Sequence, residues 1–589
     1  MKSITFNRYL RYFYLKSNKL KHLLHITLFL ILCQISNGQQ LFLKINGSSE
    51  TESKTIDSLH YNQVHTKSSS IEKEILLISK KLTQLGYLEN SSTELIKKND
   101  STYMIEFHLK EQTKHTYLYI GKNSETKQFI ERETKNDTLA LKYTETSSFL
   151  EKTIDKLEQM GYPLAKVQLE NIKRKKNKLI ADLTIQLNTQ RKINQIVLKF
   201  KEEEKKQKYF PSNYLTQINK KFNKKLFNQN TLKEIKTEFE NYSFAKQTKQ
   251  PELLFSKDST VIYVYIEKRK SNSFDGYLGI GNNEEKKTTL NGYLDIQLNN
   301  MLNGGEDFYL YWKSDGNNQK TFRTGFTLNY LFKTPLGLTA QLNIFKQDST
   351  FQNSKTILDL NYLLDHKTKL YIGIESTTSS DIQNSNSNFI SDFKSQFLTI
   401  GLNHKKNNPN TPFFPEKTNI EFRFGIGKRA TQNTTTNPSN QKQYFIHFNL
   451  SHNFIINTKN SFNIKSQNSY LKSNTYLANE LFRFGGLYST RGFAENSLQA
   501  NYLSTIITEY RYLINPSLYL HSILDYAIYN DNSNSIIPKK INNITGIGFG
   551  IGIQTNNGIL KFSITNGTNN YKDIKFFNSI VNICYNVKF

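Results

Sequence analysis

The chain has 589 residues, 37% of them hydrophobic, with 78 Lys and Arg against 50 Asp and Glu and a formal charge of +28. That length exceeds one ordinary domain, so two or more are expected, and the composition fits a soluble protein or a transmembrane β-barrel, in which only alternate residues face lipid. The positive charge raises nucleic acid or an anionic surface as a partner; the lysines are scattered among abundant Asn and Ile, however, so nucleic-acid binding is not expected.

In chain order, Lys2, Arg8, Arg11, Lys16, Lys19 and Lys21 precede an apolar run from about Leu23 to Ile35, followed by Ser36-Asn37-Gly38. A basic region, a short apolar region and a small residue form the pattern of a secretory signal peptide, expected over residues 1–38 with cleavage near Gly38. Cys33 lies inside that run, so cleavage leaves Cys584 alone and excludes an intrachain disulfide or thiolate metal site. No later stretch has the 18 successive apolar residues of a helical span, so any further membrane crossing requires a closed barrel.

From Gln39 to about Lys270 the period is mixed. Ile71, Ile75, Ile78, Leu82 and Leu85 have helical spacing, as do Leu150, Ile154 and Leu157 and, more weakly, Leu232, Ile235 and Phe239. The first two helices end alike, in Gln84-Leu85-Gly86-Tyr87 and Gln159-Met160-Gly161-Tyr162; Gly suits a left-handed cap, and the following Tyr can pack back on the helix. Alternating runs at Tyr103–Leu109, Leu179–Leu187 and Val261–Tyr265 predict strands. A helix with short strands, recurring after about 75 residues, is an internal repeat. Three small α+β domains are expected, over 39–121, 122–190 and 191–272.

Beyond Ser273 helical spacing gives way to short alternating strands. Leu294, Ile296 and Leu298 alternate with polar residues, and Ile547, Phe549, Ile551 and Ile553 with small ones. The remaining length, in spans of roughly ten residues, predicts an antiparallel barrel of about sixteen strands over 273–589. Phe274 to Gly281 is the expected first strand, weakened by Gly276, Gly279 and Gly281. In the last strand, Val581, Ile583, Tyr585, Val587 and Phe589 share one face.

Gly485-Gly486-Leu487-Tyr488-Ser489-Thr490-Arg491-Gly492-Phe493, then Ser522-Ile523-Leu524-Asp525-Tyr526-Ala527, resembles the Arg-Gly-Phe loop and acidic strand of the BamA/TamA family of outer-membrane assembly proteins. The α+β repeats are similar to its periplasmic POTRA domains. The segment from Asn299 to Glu306 resembles its first barrel hairpin, and the Tyr585, Val587 and Phe589 ending its C-terminal targeting signal. The resemblance implies a bacterial outer-membrane location with periplasmic N-terminal domains. It makes Arg491, Gly492 and Phe493 a loop motif inside the barrel, Asp525 the acid that anchors it, and Gly276, Gly279 and Gly281 part of a weak closing seam. In this chain Ala527 stands where the family's acidic strand usually ends in Gly.

Gly546 to Gly552 has part of the spacing of a phosphate-binding loop, but these glycines alternate with bulky apolar residues and no helix follows. Neither a Gly-x-Ser-x-Gly turn nor a His-Glu-x-x-His pair is present, so no enzyme, cofactor or metal is expected. The function expected from the resemblance is assembly or translocation of unfolded outer-membrane or secreted clients, with membrane lipids and periplasmic or inner-membrane subunits as further partners. Alternatives are a two-partner secretion pore for a dedicated passenger and a passive outer-membrane channel.

Overall fold

The computed structural model describes residues 40–121, 128–130, 137–200, 209–282, 288–315, 319–383, 389–407, 413–431, 439–533, 541–556, 558–569 and 579–588. The expected signal segment and Phe589 lie outside them. Two compact units divide the chain at Arg191 and Lys192.

The first unit holds two small sheets. In one, β1 (Leu41–Gly47) runs parallel to β5 (Thr102–His108); β2 (Val64–His65) pairs with β1, while β3 (Ser91–Ser92) and β4 (Ile96–Lys97) pair with β5. Helices α1 (Glu50–Asp57) and α2 (Ser68–Gln84) pack on it because Ile71, Ile78 and Leu82 fall on one helical face and bury against Leu43, Ile45, Ile105 and Phe107. The α2 end is a Schellman cap: Gly86 has φ +101°, its N–H donates to Thr83 O, and the Tyr87 N–H donates to Leu82 O. The second sheet orders β7 (Thr138–Lys142), β6 (His115–Tyr119), β9 (Lys178–Gln186) and β8 (Lys166–Lys175). Its helix α3 (Tyr143–Gln159) ends in the same way at Gly161, where the Tyr162 N–H donates to Leu157 O.

The second unit opens with a third α/β sheet in which β10 (Gln195–Phe200) lies parallel to β13 (Thr260–Lys268), flanked by β11 (Ala245–Gln247) and β12 (Glu252–Phe255). Two helices cover it, α4 (Ser212–Phe222) and α5 (Gln229–Glu240). The sequence reading found only the second; α4 buries Tyr214, Ile218 and Phe222, four residues apart, on an otherwise polar helix.

The barrel follows: β14 (Ser273–Asn282), β15 (Thr288–Asn299), β16 (Asp307–Asp315), β17 (Gln319–Leu328), β18 (Leu336–Gln347), β19 (Phe351–Leu363), β20 (Thr368–Asp381), β21 (Phe393–Asn407), β22 (Glu416–Thr431), β23 (Ser439–Ile455) and β24 (Asn460–Lys472). A long excursion carrying the short strands β25 (Phe482–Phe484) and β26 (Leu498–Ala500) precedes β27 (Tyr502–Asn515), β28 (Leu518–Asn530), β29 (Asn542–Gln554), β30 (Gly558–Asn569) and β31 (Ile580–Lys588). Sixteen antiparallel strands close the ring, from β14 to β31. Leu358, Leu360, Ile372 and Ile374 point outward and are exposed, whereas Asp359, Asn361 and Glu375 point inward and are buried. That apolar-out, polar-in alternation suits a lipid-facing wall. No described helix is long and apolar enough to cross a membrane.

One expectation is corrected. The turn at Asn300–Glu306 joins β15 to β16 and is not the first hairpin, because Ser273–Asn282 and Thr288–Asn299 already pair as one.

Candidate functional site

The excursion between β24 and β27 folds into the barrel. Arg491 is 4% exposed and Asp525 on β28 is fully buried, so the ion pair has no solvent to screen it. The Arg491 Nε donates to Asp525 Oδ2 at 2.8 Å, Nη2 to Oδ1 at 2.6 Å, and the Arg491 backbone N–H to Oδ2 at 2.9 Å. This is the two-pronged geometry for which a guanidinium is suited. A second carboxylate, Glu509 on β27, accepts from Nη1 at 2.5 Å, and Thr508 O accepts from Nη2 at 3.1 Å. Glu509 also accepts from Arg511 Nε at 2.7 Å. Arg491 of the loop and Arg511 of β27 thus alternate with Asp525 of β28 and Glu509 of β27, and each of the four charges is paired.

Glycines make room for the loop. A Cβ on Gly546 would lie 2.1 Å from Arg491 O, and one on Gly492, where φ is +90°, would lie 2.5 Å from Gly567 N. Within the glycine run Gly546–Gly552, Gly546 makes room for the inserted loop while Gly548, Gly550 and Gly552 abut neighbouring strands, and Ile547 and Phe549 lie on the outer, exposed face. Further ties hold the loop elsewhere: Lys313 on β16 pairs with Glu495 at 3.2 Å, and Asn479 Nδ2 donates to Ser379 Oγ and Ser391 O at 2.8 Å each. Buried Arg429 on β22 pairs with Glu480.

The seam between β14 and β31 is short. Ser273, Phe274 and Asp275 face Lys588, Val587 and Asn586, and among the described residues no further pair extends the seam, whereas β14 and β15 pair over ten residues. Gly276, Gly279 and Gly281 lie beyond the paired stretch. Side chains bridge the strands instead: the Tyr293 hydroxyl on β15 donates to Asp275 at 2.5 Å and contacts the Cys584 thiol of β31. Tyr585 faces outward, exposed, beside Ile583.

The third α/β domain is seated on the barrel end carrying the turns after β15, β17, β19 and β21, here termed the proximal rim. The Tyr214 hydroxyl donates to Gly305 O at 2.8 Å, Asn213 Nδ2 to Asn329 O at 3.1 Å, and Asn407 Nδ2 to Asn241 O at 3.0 Å. Tyr330 and Leu363 from the barrel join the domain's own core. Glu238 on α5 meets His366 at 2.7 Å and accepts from Lys221 Nζ at 2.7 Å. Burial alone would raise the Glu238 carboxyl; the His366 and Lys221 partners overcome it and hold the group at about 2.

The sequence brought Arg491 and Asp525 to attention but missed Glu509, Arg511, Asp275 and Tyr293. Those four sit at inward positions of strands, a signal present in the alternation but shared by every lumen residue. The described residues contain no group of His, Cys, Asp and Glu suited to a metal ion.

Comparison with known proteins gives an Omp85 superfamily domain over residues 300–580. Among solved structures, BamA of Haemophilus ducreyi lacking POTRA domains 1–3 is similar at 16% identity, covering 80% of this chain and 98% of that one with a TM-score of 0.45. CdiB of Acinetobacter baumannii is 15% identical, with 81% and 90% covered and a TM-score of 0.47. CdiB of Escherichia coli is 12% identical, with 88% and 97% covered and a TM-score of 0.47. No curated protein matches the chain. Residues 300–580, which contain the pinned loop and most of the barrel wall, match the Omp85 superfamily domain.

Proposed function

We propose that the protein assembles or translocates unfolded clients at the outer membrane, receiving them on three periplasmic POTRA domains (39–121, 122–190 and 191–272) and passing them to the barrel of 273–589. The short β14–β31 seam carries this reading. Opening three residue pairs costs far less than opening a full ladder, and a client hairpin entering there would satisfy strand edges that hydrocarbon penalises by several kcal/mol per unpaired group. Sheet edges of the α/β domains would hold an extended client through backbone hydrogen bonds, which give affinity without demanding one sequence.

Arg491, Gly492 and Phe493 would keep the lumen filled, with Asp525 as their anchor. Gly276, Gly279 and Gly281 would keep the first strand yielding. Tyr585, Val587 and Phe589 would mark the chain for its own insertion. No step in this scheme calls for hydrolysis or a cofactor.

Depletion of the protein, followed by quantitative proteomics of purified outer membranes, tests the proposal. Loss of many barrel proteins is the expected result; loss of one secreted or surface protein would replace it with dedicated export, and no change would replace it with a passive channel.

A further inference from the structure

Phe413 and Phe414 lead into β22 at the proximal rim, yet their contacts lie on the far side of the barrel. Phe413 is 6% exposed and clusters with Tyr519 of β28 and Ile559 of β30. Its ring stands edge-on to Tyr519 at 4.8 Å, and the Phe414 ring meets the same tyrosine at 5.0 Å. In the ring order of strands, β22 is ninth while β28 and β30 are thirteenth and fifteenth. Tyr519 alternates with exposed Leu520 and buried His521, so it faces the lumen. The two phenylalanines therefore reach across the inside of the proximal mouth.

What holds them there is the chain of charges already described. The Arg511 guanidinium lies 4.2 Å from the centre of the Phe414 ring, a cation–π contact, and its Nη1 donates to Asn453 of β23 at 2.7 Å. Asn453 in turn donates to Glu416 O, two residues after Phe414, at 2.9 Å. The other side of Arg511 pairs with Glu509 at 2.6 Å, and Glu509 pairs with Arg491. A contiguous path thus runs Asp525, Arg491, Glu509, Arg511, Phe414. The seated α/β domain meets the rim at the turns after β15, β17 and β19 and at the end of β21, and Phe413 and Phe414, from the turn after β21, pack on β28 and β30 within the same mouth.

We propose that Phe413, Phe414 and Arg511 form a shutter across the proximal mouth, kept closed by the same Arg491 that pins the inserted loop. Withdrawal of the loop removes one of the two arginines that fix Glu509, so that Glu509 and the Arg511 paired with it are no longer held in place against the Phe414 ring, and the mouth opens. The shutter is a property of the lumen and does not depend on what the protein carries.

The test uses the full chain in proteoliposomes, with both native cysteines removed (Cys33→Ser and Cys584→Ser) and a reporter thiol, Asn449→Cys, in the lumen cavity of about 620 Å³. The rate at which a small charged methanethiosulfonate modifies the reporter is measured from the proximal side. Phe413→Ala with Phe414→Ala should raise that rate several-fold. Arg511→Gln keeps both aromatic rings and should act in the same direction, which covers failure of the doubly truncated protein to insert. Asp525→Ala should raise the rate as well, through the charge path. Unchanged modification in a folded Arg511→Gln barrel, or in the double alanine variant, overturns the shutter; acceleration in both but not with Asp525→Ala overturns the link to the loop. A client defect on depletion is scored separately, so the assembly reading and the shutter can fail independently.

Discussion

Replacing Asp525 with Ala removes a fully buried carboxylate that accepts three hydrogen bonds from Arg491 and one, at 3.3 Å, from the Thr508 N–H. Breaking one side of a buried ion pair typically costs about 3–5 kcal/mol, because the surviving charge stays desolvated. Here Glu509 still holds Nη1, which places the expectation near the lower limit, about 3 kcal/mol. The loss falls chiefly on the loop, since Thr508 of β27 gives up only one long hydrogen bond and the backbone ladders of β27 with β28 and of β28 with β29 remain. At roughly tenfold per 1.4 kcal/mol, the loop's open population should rise about a hundredfold. Hydrogen exchange of amides over 484–498 in detergent-solubilised protein reads that population, and the gel mobility shift of the heated barrel reports whether the wall is intact. Protection unchanged over 484–498 in a folded Asp525→Ala barrel would refute the anchoring role. Asp525→Lys, which sets a second cation against Arg491, should open the loop further.

Three other outcomes are expected. Tyr293→Phe strips Asp275 of its hydroxyl donor, an unsatisfied buried acceptor worth about 1–3 kcal/mol, so alkylation of Cys584 should quicken by roughly tenfold; an unaltered rate would show that the side-chain bridge does not hold the seam. Gly305→Ala places a Cβ 2.1 Å from the Tyr214 ring at φ +78°, which should loosen the seated domain by about 1–3 kcal/mol, measured as a lower crosslinking yield between α4 and the turn after β15; full yield would contradict it. The Glu238 carboxyl is depressed in the folded state, so its contribution is present above its ordinary value of 4.5 and disappears as pH falls toward about 2, a span worth roughly 3 kcal/mol. Thermal melting of the seated domain should therefore drop through that acid window and lose the dependence in Glu238→Gln; an identical acid response in the variant would exclude the group.

The strands were legible where one face meets lipid and the other meets the lumen, as at Ile547, Phe549 and Ile553, because the environments differ sharply in polarity. The glycine caps were legible too, since Gly86 and Gly161 adopt a backbone conformation few other residues accept. Helix α4 escaped notice because its buried face holds only Tyr214, Ile218 and Phe222 among Asn, Gln and Lys, a stripe too narrow to stand out. Partners far apart in sequence were least readable. Nothing in Phe413-Phe414 indicates that it meets Tyr519, a contact set by barrel curvature rather than by local pattern.

Strand β29 carries a consequence for how this gene can vary. Its inward positions each abut something fixed: a Cβ at Gly546, Gly548, Gly550 or Gly552 would lie within 2.4 Å of Arg491 O, Ile564 O, the His521 ring or the Tyr519 ring. The outward positions Ile547, Phe549 and Ile553 touch only lipid-facing space and need merely remain apolar. Substitution tolerance along this strand should switch on and off with every residue, so that neighbouring codons drift at very different rates while the barrel keeps one shape.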